Sequence, residues 1–595
     1  MGGSKMSEVY GYQNCVLRLD LTNRKITTEP LNMDWARKYI GCKGLSTKYL
    51  YEELEPGIDP LGPDNKLYFT TGPVTGTSVP CSGKLSVTGK SPATGTMCDC
   101  SMGGHAAVKI KQAGYDMIVL EGQLDKPGYV LIEDDKVEII DADDLWGKGS
   151  HETEAILAEK YGYDHAIISI GPAGENLCVM SCINSDYYRQ AGRGGMGAVM
   201  GSKKVKALAI KGTKGVKVPD AKKMVNRVLE FLKEDCLQED NTYVYDTGTT
   251  AFAEGCGDGG IAPYKNFSDT TDPNLDKYNG DVLLEYRVGK RGCGSCGLGC
   301  GNFIKWGDAI VEGPEWETMS VAGGNAGACD PEQIIRYNQV ADDMGLDTIS
   351  AGDTLVWAME MTEKGIHDFG IRFGESDKEV EYLKLMAKNE GVGKDLALGV
   401  KKCSEKYGGE EFAMHCKGLE FPQYEPRGSW GMALAYAVSS RGACHMTSYM
   451  ANDEVFEESI PAYSAEGKGE VCYGMAEWNN AKFSMCICDF WATCSYEIMT
   501  ELLELTTGQK YTLEEFGEVG RRVTHLARAF NNREGFTRKD DSALPDRLFT
   551  EKLKTGPAAG QVIPREDFES MLDQYYDTLG WTRDGVVPEE ILKTL

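Results

Sequence analysis

Cys293-Gly-Ser-Cys296-Gly-Leu-Gly-Cys300 places three thiols at C-x2-C-x3-C spacing, with glycine filling most of the gaps. Glycines in such a loop allow φ > 0 and close backbone approach, so the thiolates can converge on one point. Three thiolates are one short of a four-thiolate iron–sulfur cage, and a fourth is expected from elsewhere in the chain. A zinc knuckle is the alternative, but it requires a second Cys or His pair at ribbon or finger spacing, and none stands nearby. A radical-type cluster has the longer gap first, the reverse of this order. The spacing favours an electron-transfer iron–sulfur cluster.

Around this loop lie 595 residues, enough for three or four domain-sized units and a core that can bury a large cofactor. Hydrophobic residues make up 41% and charged residues 26%, as in ordinary globular proteins. Glycine is in excess: 71 residues, about 12% against an average near 7%, with no collagen-like period. That excess points to backbone packed closely around a phosphate or cofactor. Twenty cysteines are too sparse for a disulfide scaffold in so long a chain. Met1-Gly-Gly-Ser-Lys-Met6 lacks the apolar run of a signal peptide, and Met6 reads as the native start behind a tag remnant. No run approaches eighteen apolar residues, so no membrane span is expected. Reduced cysteines beside a cluster loop place the protein in the cytoplasm. The net charge of −28 disfavours nucleic acid as a partner, because no Lys/Arg stripe is present to neutralise phosphates.

Outward from the loop, the pattern changes twice. Up to about residue 214 the chain reads as strands: Val16–Leu21, Leu67–Thr70, Leu85–Thr88, Met117–Gly122, Tyr129–Ile132, Val137–Ile140, Ala166–Gly171 and Ala207–Gly212, with Gly/Pro turns between them. Thr153–Lys160 reads as a helix. From Val218 helices take over: Ala221–Lys233, Pro331–Met344, Ser350–Lys364, Glu379–Lys388 and Phe516–Phe530, the last opened by the capping box Thr512-Leu-Glu-Glu515. The expected fold class is α+β. A β-rich base domain (1–214) is followed by two mainly helical domains (215–419, with the cluster loop, and 420–595), with the cofactor at their junction.

Gly192-Arg193-Gly194-Gly-Met-Gly197 matches G-x-G-x-x-G, but Tyr187–Gln190 separates it from any strand, Gly201-Ser-Lys-Lys ends the following helix early, and no acidic residue follows at the ribose position. A nicotinamide site is therefore not expected there. A glycine loop with Arg193 still suits an anionic cofactor through backbone N–H groups and a guanidinium fork. Ser101-Met-Gly103-Gly104, seventeen residues after Lys84, is a second such loop, with an ordinary turn as its alternative reading. Asp342-Asp-Met-Gly345-Leu346-Asp347 ends one helix and caps the next, and the same geometry turns a carboxylate and free N–H groups toward a bound heterocycle. Asp489-Phe-Trp-Ala-Thr493-Cys494 repeats the pattern, and Cys494 is the candidate fourth ligand, with Cys486 and Cys488 as rivals. Gly313-Pro-Glu315-Trp-Glu317 offers two carboxylates just past the cluster loop, and Arg441-Gly-Ala-Cys-His445 supplies one of seven histidines. A Glu and a His in one apolar site can share proton transfers near neutral pH.

Together these segments resemble the aldehyde:ferredoxin oxidoreductase family of tungsten–bispterin enzymes. The resemblance runs nearly end to end and is carried by Val16–Leu21, Thr71-Gly-Pro-Val-Thr-Gly-Thr, Ala113-Gly-Tyr-Asp116, Gly194–Lys203, the cluster loop, the two Asp hexads, Arg441–His445 and Leu579-Gly-Trp. It implies two pterin dithiolenes on the β-rich base, joined through Mg2+ at their phosphates, each bound by one hexad. Lys84, Ser101, Gly103, Gly104, Arg193 and Gly194 would contact the cofactor, as would Asp342, Gly345, Leu346 and Asp347 of the first hexad and Asp489 and Thr493 of the second. Cys293, Cys296, Cys300 and Cys494 would hold a [4Fe–4S] cluster. The metal, tungsten with molybdenum as the alternative, would have four dithiolene sulfurs and no protein ligand. Glu317, with Glu315 as fallback, and His445 would be the catalytic pair. Three departures stand out: lysine at 84 where the family has arginine, Ser-Met-Gly-Gly for Asn-Ser-Gly-Gly at 101–104, and a second hexad that does not end Gly-Leu-Cys. The E-x-x-H of the family's subunit-bridging iron site is absent.

The resemblance implies two-electron oxidation of a small aldehyde to its acid, with single electrons leaving through the cluster. The expected acceptor is ferredoxin or a small iron–sulfur subunit, with a flavin/NAD subunit beyond it if NAD is the final acceptor, in an oligomer. A family branch that reduces an activated aromatic substrate is the alternative enzyme. A non-catalytic electron-transfer or scaffold subunit is the alternative from another class.

Overall fold

The computed structural model describes residues 8–595; the reading of Met6 as a start lies outside them. The N-terminal region folds as two six-stranded sheets. The first comprises β1 (Val16–Asp20), β2 (Lys25–Glu29), β3 (Leu67–Thr70), β4 (Leu85–Lys90), β5 (Met97–Met102) and β6 (Met117–Glu121) in the order β2-β1-β6-β3-β4-β5. The second comprises β7 (Gly128–Glu133), β8 (Lys136–Asp141), β9 (Ala166–Ser169), β10 (Ile183–Ser185), β11 (Arg189–Ala191) and β12 (Val205–Lys211) in the order β11-β10-β9-β12-β7-β8. The central strands β3, β6, β9 and β12 are largely apolar because both faces are covered, whereas the edge strands β2 and β8 are polar and largely exposed. Leu17, Phe69, Val87 and Ile118 of the first sheet share one core with Val130, Ile168, Leu208 and Ile210 of the second.

Past Lys211 the chain is mainly helical, with one three-stranded sheet (Arg287–Arg291, Gly301–Trp306, Ala309–Glu312) whose first hairpin carries the cysteine loop. One apolar core runs from Phe267, Trp316 and Trp357 to Tyr436 and Tyr576. The expected divide at 419/420 falls inside the short strand Leu419–Glu420, and this core takes residues from both sides of it. Among the described residues no helix is long and apolar enough to cross a membrane.

Helix boundaries follow local chemistry. Pro331–Met344 begins at Asp330, whose side chain accepts from Glu332 N, and ends at Gly345 with φ 74°. Leu513–Arg533 opens on the reciprocal Thr512/Glu515 capping box. The helix at Ala221 is shorter than expected, giving way after Phe231 to a π-turn, Leu232–Cys236. The context of Gly192–Gly197 also differs. β11 ends at Ala191 and a helix starts at Met196, so strand and helix flank the loop after all. β11 is nevertheless an antiparallel edge strand, not the parallel strand of a dinucleotide unit.

Gly345 is doubly constrained: besides its φ, an added Cβ would sit 2.8 Å from Gly171 N. Gly365 has φ 67° but open space around it. Gly345→Ala is therefore expected to cost about 1–3 kcal/mol or more in denaturant unfolding, and Gly365→Ala about 1–2 kcal/mol. Equal losses would mean that the close approach at Gly171 contributes nothing.

Candidate functional site

The cysteine loop seats itself against the N-terminal domain. Gly294 N donates to Gly104 O at 2.9 Å, Cys81 N donates to Ser295 O at 2.8 Å, and Tyr188 Oη donates to Gly292 O. A side chain at Gly83 would meet Gly294 O at 2.3 Å, and one at Gly103 would meet Cys293 Sγ at 2.8 Å. Glycine is thus needed on both partners of this contact. Gly103 and Gly104 support the cluster loop, while Ser101 and Met102 belong to β5 and the Ser101 side chain is exposed.

Cys293, Cys296 and Cys300 ring a narrow void whose wall also holds Cys81, Lys84, Cys488 and Phe490. Cys494 is not on this wall. It is fully buried in an apolar cluster with Met499 and Leu502, and burial pushes its thiol up to about 12. Its neighbour Thr493 is pinned away from the void, donating to Asp235 Oδ1 at 2.6 Å and accepting from Asn241 Nδ2 at 2.8 Å. Asp489 pairs with Lys84 at 2.5 Å. Burial opposes charge on Asp489, yet the Lys84 ammonium holds its carboxyl below the usual range.

The second hexad therefore lies six residues earlier than expected. In the first hexad, the left-handed residue is Gly345, with Asp342 three before it and Asp347 two after it. The helix Lys468–Ser484 ends the same way at Cys486, φ 70°. The equivalent stretch is Phe483-Ser-Met-Cys-Ile-Cys488, with Phe483 in the aspartate position and Cys488 in the place of Asp347. The helix-ending residue is the signal that was available in the sequence. It was missed because cysteine, not glycine, occupies it.

The first hexad is as expected in backbone and is locked to the base domain. Asp342 accepts from Asn184 Nδ2 at 2.6 Å, from His151 Nε2 at 2.7 Å and from Gln190 Nε2. Burial disfavours the His151 imidazolium, but the facing Asp342 carboxylate outweighs it and raises the imidazole. Leu346 bridges Ser181, and Asp347 caps the next helix through Ile349 N. Arg193 donates to Asp347 at 3.2 Å, to the carbonyls of Ala443 and Glu420, and to Ser350. Gly194 (φ 76°) allows the loop to pass Cys98, whose Sγ would lie 2.5 Å from a Cβ there.

A cavity of about 140 Å³ joins this hexad to the two glutamates, lined by Gln190, Gly192, Glu315, Glu317, Asp342 and Asp347 among others. Glu315 is engaged: it accepts from Thr249 and from Arg189, whose other guanidinium nitrogen lies 3.5 Å from Cys300 Sγ. Glu317 is not saturated. Its Oε2 accepts from Gln423 N at 2.8 Å, while its Oε1 faces His445 Nε2 at 3.6 Å and has no hydrogen-bond partner. His445 Nδ1 is likewise unpartnered, and the Tyr424 ring packs 5.5 Å from the imidazole. Burial pushes Glu317 up to about 8. Burial first, then Arg193 and Arg441, drives His445 down to about 3. Burial thus favours the neutral form of both groups, and each keeps an unpartnered polar atom. Arg189, Gln423 and Tyr424, which build this site, carry no motif.

Of the twenty cysteines, eighteen are free thiols and Cys42–Cys486 form a disulfide, which corrects the expectation of uniformly reduced cysteines.

The family model described as aldehyde ferredoxin oxidoreductase, N-terminal domain, matches residues 16–212, and that for domains 2 and 3 matches 224–595. The tungsten-containing aldehyde ferredoxin oxidoreductase of Pyrococcus furiosus is 36% identical over 604 residues, covering 99% of each chain. That of Thermococcus kodakarensis is 36% identical over 599 residues, 98% of each. The WOR-like subunit of aliphatic sulfonate oxidoreductase from Pyrococcus furiosus is 30% identical over 634 residues, 99% of this chain and 97% of the relative. Among solved structures, the active-site complex BamBC of benzoyl coenzyme A reductase aligns with TM-score 0.83 at 24% identity, over 99% of this chain and 97% of that one, a likeness of fold.

The two shifted groups make stability depend on pH from both sides. Glu317 keeps its proton in the folded state up to about 8, while the unfolded chain loses it near 4.5, so stability falls as pH rises between those values. His445 stays neutral in the folded state down to about 3, so stability falls as pH drops from about 6.5 toward 3. Relative to wild type, Glu317→Gln is expected to flatten the decline in denaturant midpoints between about pH 4.5 and 8. An unchanged slope would mean that Glu317 titrates normally.

Proposed function

This chain belongs to the aldehyde ferredoxin oxidoreductase family, and on that premise we propose that it oxidises aldehydes to carboxylic acids at a tungsten–bispterin centre. Electrons pass singly through a [4Fe–4S] cluster to ferredoxin or a small iron–sulfur subunit. The carrying observation is the buried Glu317–His445 pair, 3.6 Å apart, with one polar atom on each residue left without a hydrogen-bond partner. Higher identity to the aldehyde-oxidising relatives (36%) than to the sulfonate one (30%) supports the substrate class.

The residues present suit the cofactor. The hexad turn Asp342–Asp347, the Gly192–Gly197 loop and Arg193 offer a carboxylate, N–H groups and a guanidinium of the kind a pterin and its phosphate require. Lys84, beside the cysteine void, supplies a further cation. The fourth cluster ligand is Cys488, which shares the void with Cys293, Cys296 and Cys300; Cys81 on the same wall is the neighbouring thiol. When bound, the tungsten centre supplies the two-electron redox step and polarises the carbonyl. Within the protein, Glu317 holds a proton at Oε1 and, once deprotonated, accepts one from the attacking water. His445 donates a hydrogen bond to the developing oxyanion. The Tyr424 ring excludes water on the imidazole's flank. Arg189, between Cys300 and the Glu315 carboxylate, couples charge at the cluster to charge at the site.

Two sets of variants test this reading. Glu317→Gln and His445→Asn should retain tungsten and iron, yet lose about 10²–10⁴ in kcat with aldehyde and a viologen acceptor. Full activity in Glu317→Gln together with a dead Glu315→Gln would move the base by two residues. Separately, Cys488→Ser should lose the four-iron EPR signal, whereas Cys494→Ser keeps it. The reverse result would return the fourth ligand to Cys494.

A further inference from the structure

The Cys42–Cys486 bond joins residues 444 positions apart, with their Cα atoms 5.7 Å from each other. Both cysteines sit in left-handed backbone, φ 40° and 70°, a region that side-chain-bearing residues rarely occupy and that collects at functional sites. One turn seats them both. Cys42 N donates to Thr71 O at 3.0 Å. The adjacent Gly72 lies so close to Met485 and Cys486 that a Cβ there would meet Met485 O at 2.5 Å and Cys486 Cβ at 3.2 Å. Both cysteines are buried, 2% and 1% exposed, which keeps external thiols away from the bond. Cys486 is two residues from Cys488, within about 7 Å of chain, and Cys488 N donates to Cys81 O on the wall of the cysteine void. A two-electron acceptor is thus built beside a one-electron carrier.

We propose that the Cys42–Cys486 disulfide is a second redox centre of this chain, reduced to two thiols by electrons delivered one at a time through the neighbouring cluster. The inference rests on Cys488 as a cluster ligand and, for its physiological electron source, on the aldehyde chemistry proposed above. The step balances. An aldehyde and water give a carboxylic acid, two electrons and two protons; the electrons break the S–S bond, and the protons end on Cys42 Sγ and Cys486 Sγ. The ferredoxin-type acceptor reverses the step, taking back the two electrons as the bond re-forms. Such a centre stores both electrons of one turnover, and the cluster then passes them on one at a time.

Differential alkylation of the holoenzyme tests this. The enzyme is prepared oxidised under anaerobic conditions, reduced with methyl viologen radical or with an aldehyde, quenched with iodoacetamide in denaturant so that buried thiols react, and read by peptide mass spectrometry. The oxidised enzyme is expected to show Cys42 and Cys486 peptides linked and unlabelled, and both reductants should convert them to two labelled thiols. If viologen opens the bond and the aldehydes do not, the redox centre stands and the aldehyde reading falls. Linked peptides in enzyme whose cluster is reduced by EPR would overturn the inference, as would free, labelled thiols in the oxidised enzyme. In Cys42→Ser holoenzyme that keeps the four-iron signal, reductive titration should take up two fewer electrons per chain. An undiminished count would also overturn it.

Discussion

A buried guanidinium cannot shed its proton, so each of its N–H groups has to be answered where it stands. Arg193, 7% exposed, meets that demand by gathering five separate parts of the chain. It leaves the glycine loop of the base domain and reaches Asp347 of the hexad, Ser350 of the helix that Asp347 caps, the Glu420 carbonyl of a two-residue strand and the Ala443 carbonyl one residue from Cys444 and two from His445. Removing one partner of such a buried pair typically costs about 3–5 kcal/mol, because the remaining charge is left unanswered. The hexad, the glycine loop and the turn that carries His445 are tied to one another through this one side chain. Its charge also adds to burial, the larger cause, in lowering the His445 imidazole, a second effect on the same site.

Arg189, four residues upstream, does for the cluster what Arg193 does for the hexad. It touches Cys300 on the cysteine void and the carboxylates of Glu312 and Glu315 on the cavity that holds Glu317, so one side chain links the two. With Glu315 occupied by Arg189 and Thr249, Glu317 is the glutamate of the pair with an oxygen to spare. Burial then sorts the two carboxylates: Glu317 is raised to about 8, while its neighbour is held in hydrogen bonds.

The β-rich base, the helical remainder, the Pro331–Met344 helix and its glycine end, and the Thr512 capping box could all be read from residue pattern, because each is set by local periodicity and capping. So could the convergence of Glu317 with His445, through family resemblance. The second hexad could not be placed by its aspartate. Asp489 is adjacent to Cys488 but faces Lys84, and the helix that defines the hexad ends at a cysteine in left-handed backbone, where glycine is the usual signal. The divide read at 419/420 does not separate two cores, since one core holds both Trp357 and Tyr436 on either side of it. Gln423 and Tyr424 contribute through a backbone N–H and a ring face, neither of which depends on a motif.

On the proposed reading this chain carries a four-iron cluster and a tungsten–pterin centre on one scaffold. Elemental analysis of purified protein by plasma mass spectrometry, from cells supplied with tungstate, decides it. About four iron atoms and about one tungsten per chain are expected, the iron count being that of a [4Fe–4S] cluster. Iron without tungsten or molybdenum would leave an electron-transfer subunit, and zinc in place of iron would contradict the reading of Cys293, Cys296 and Cys300 itself.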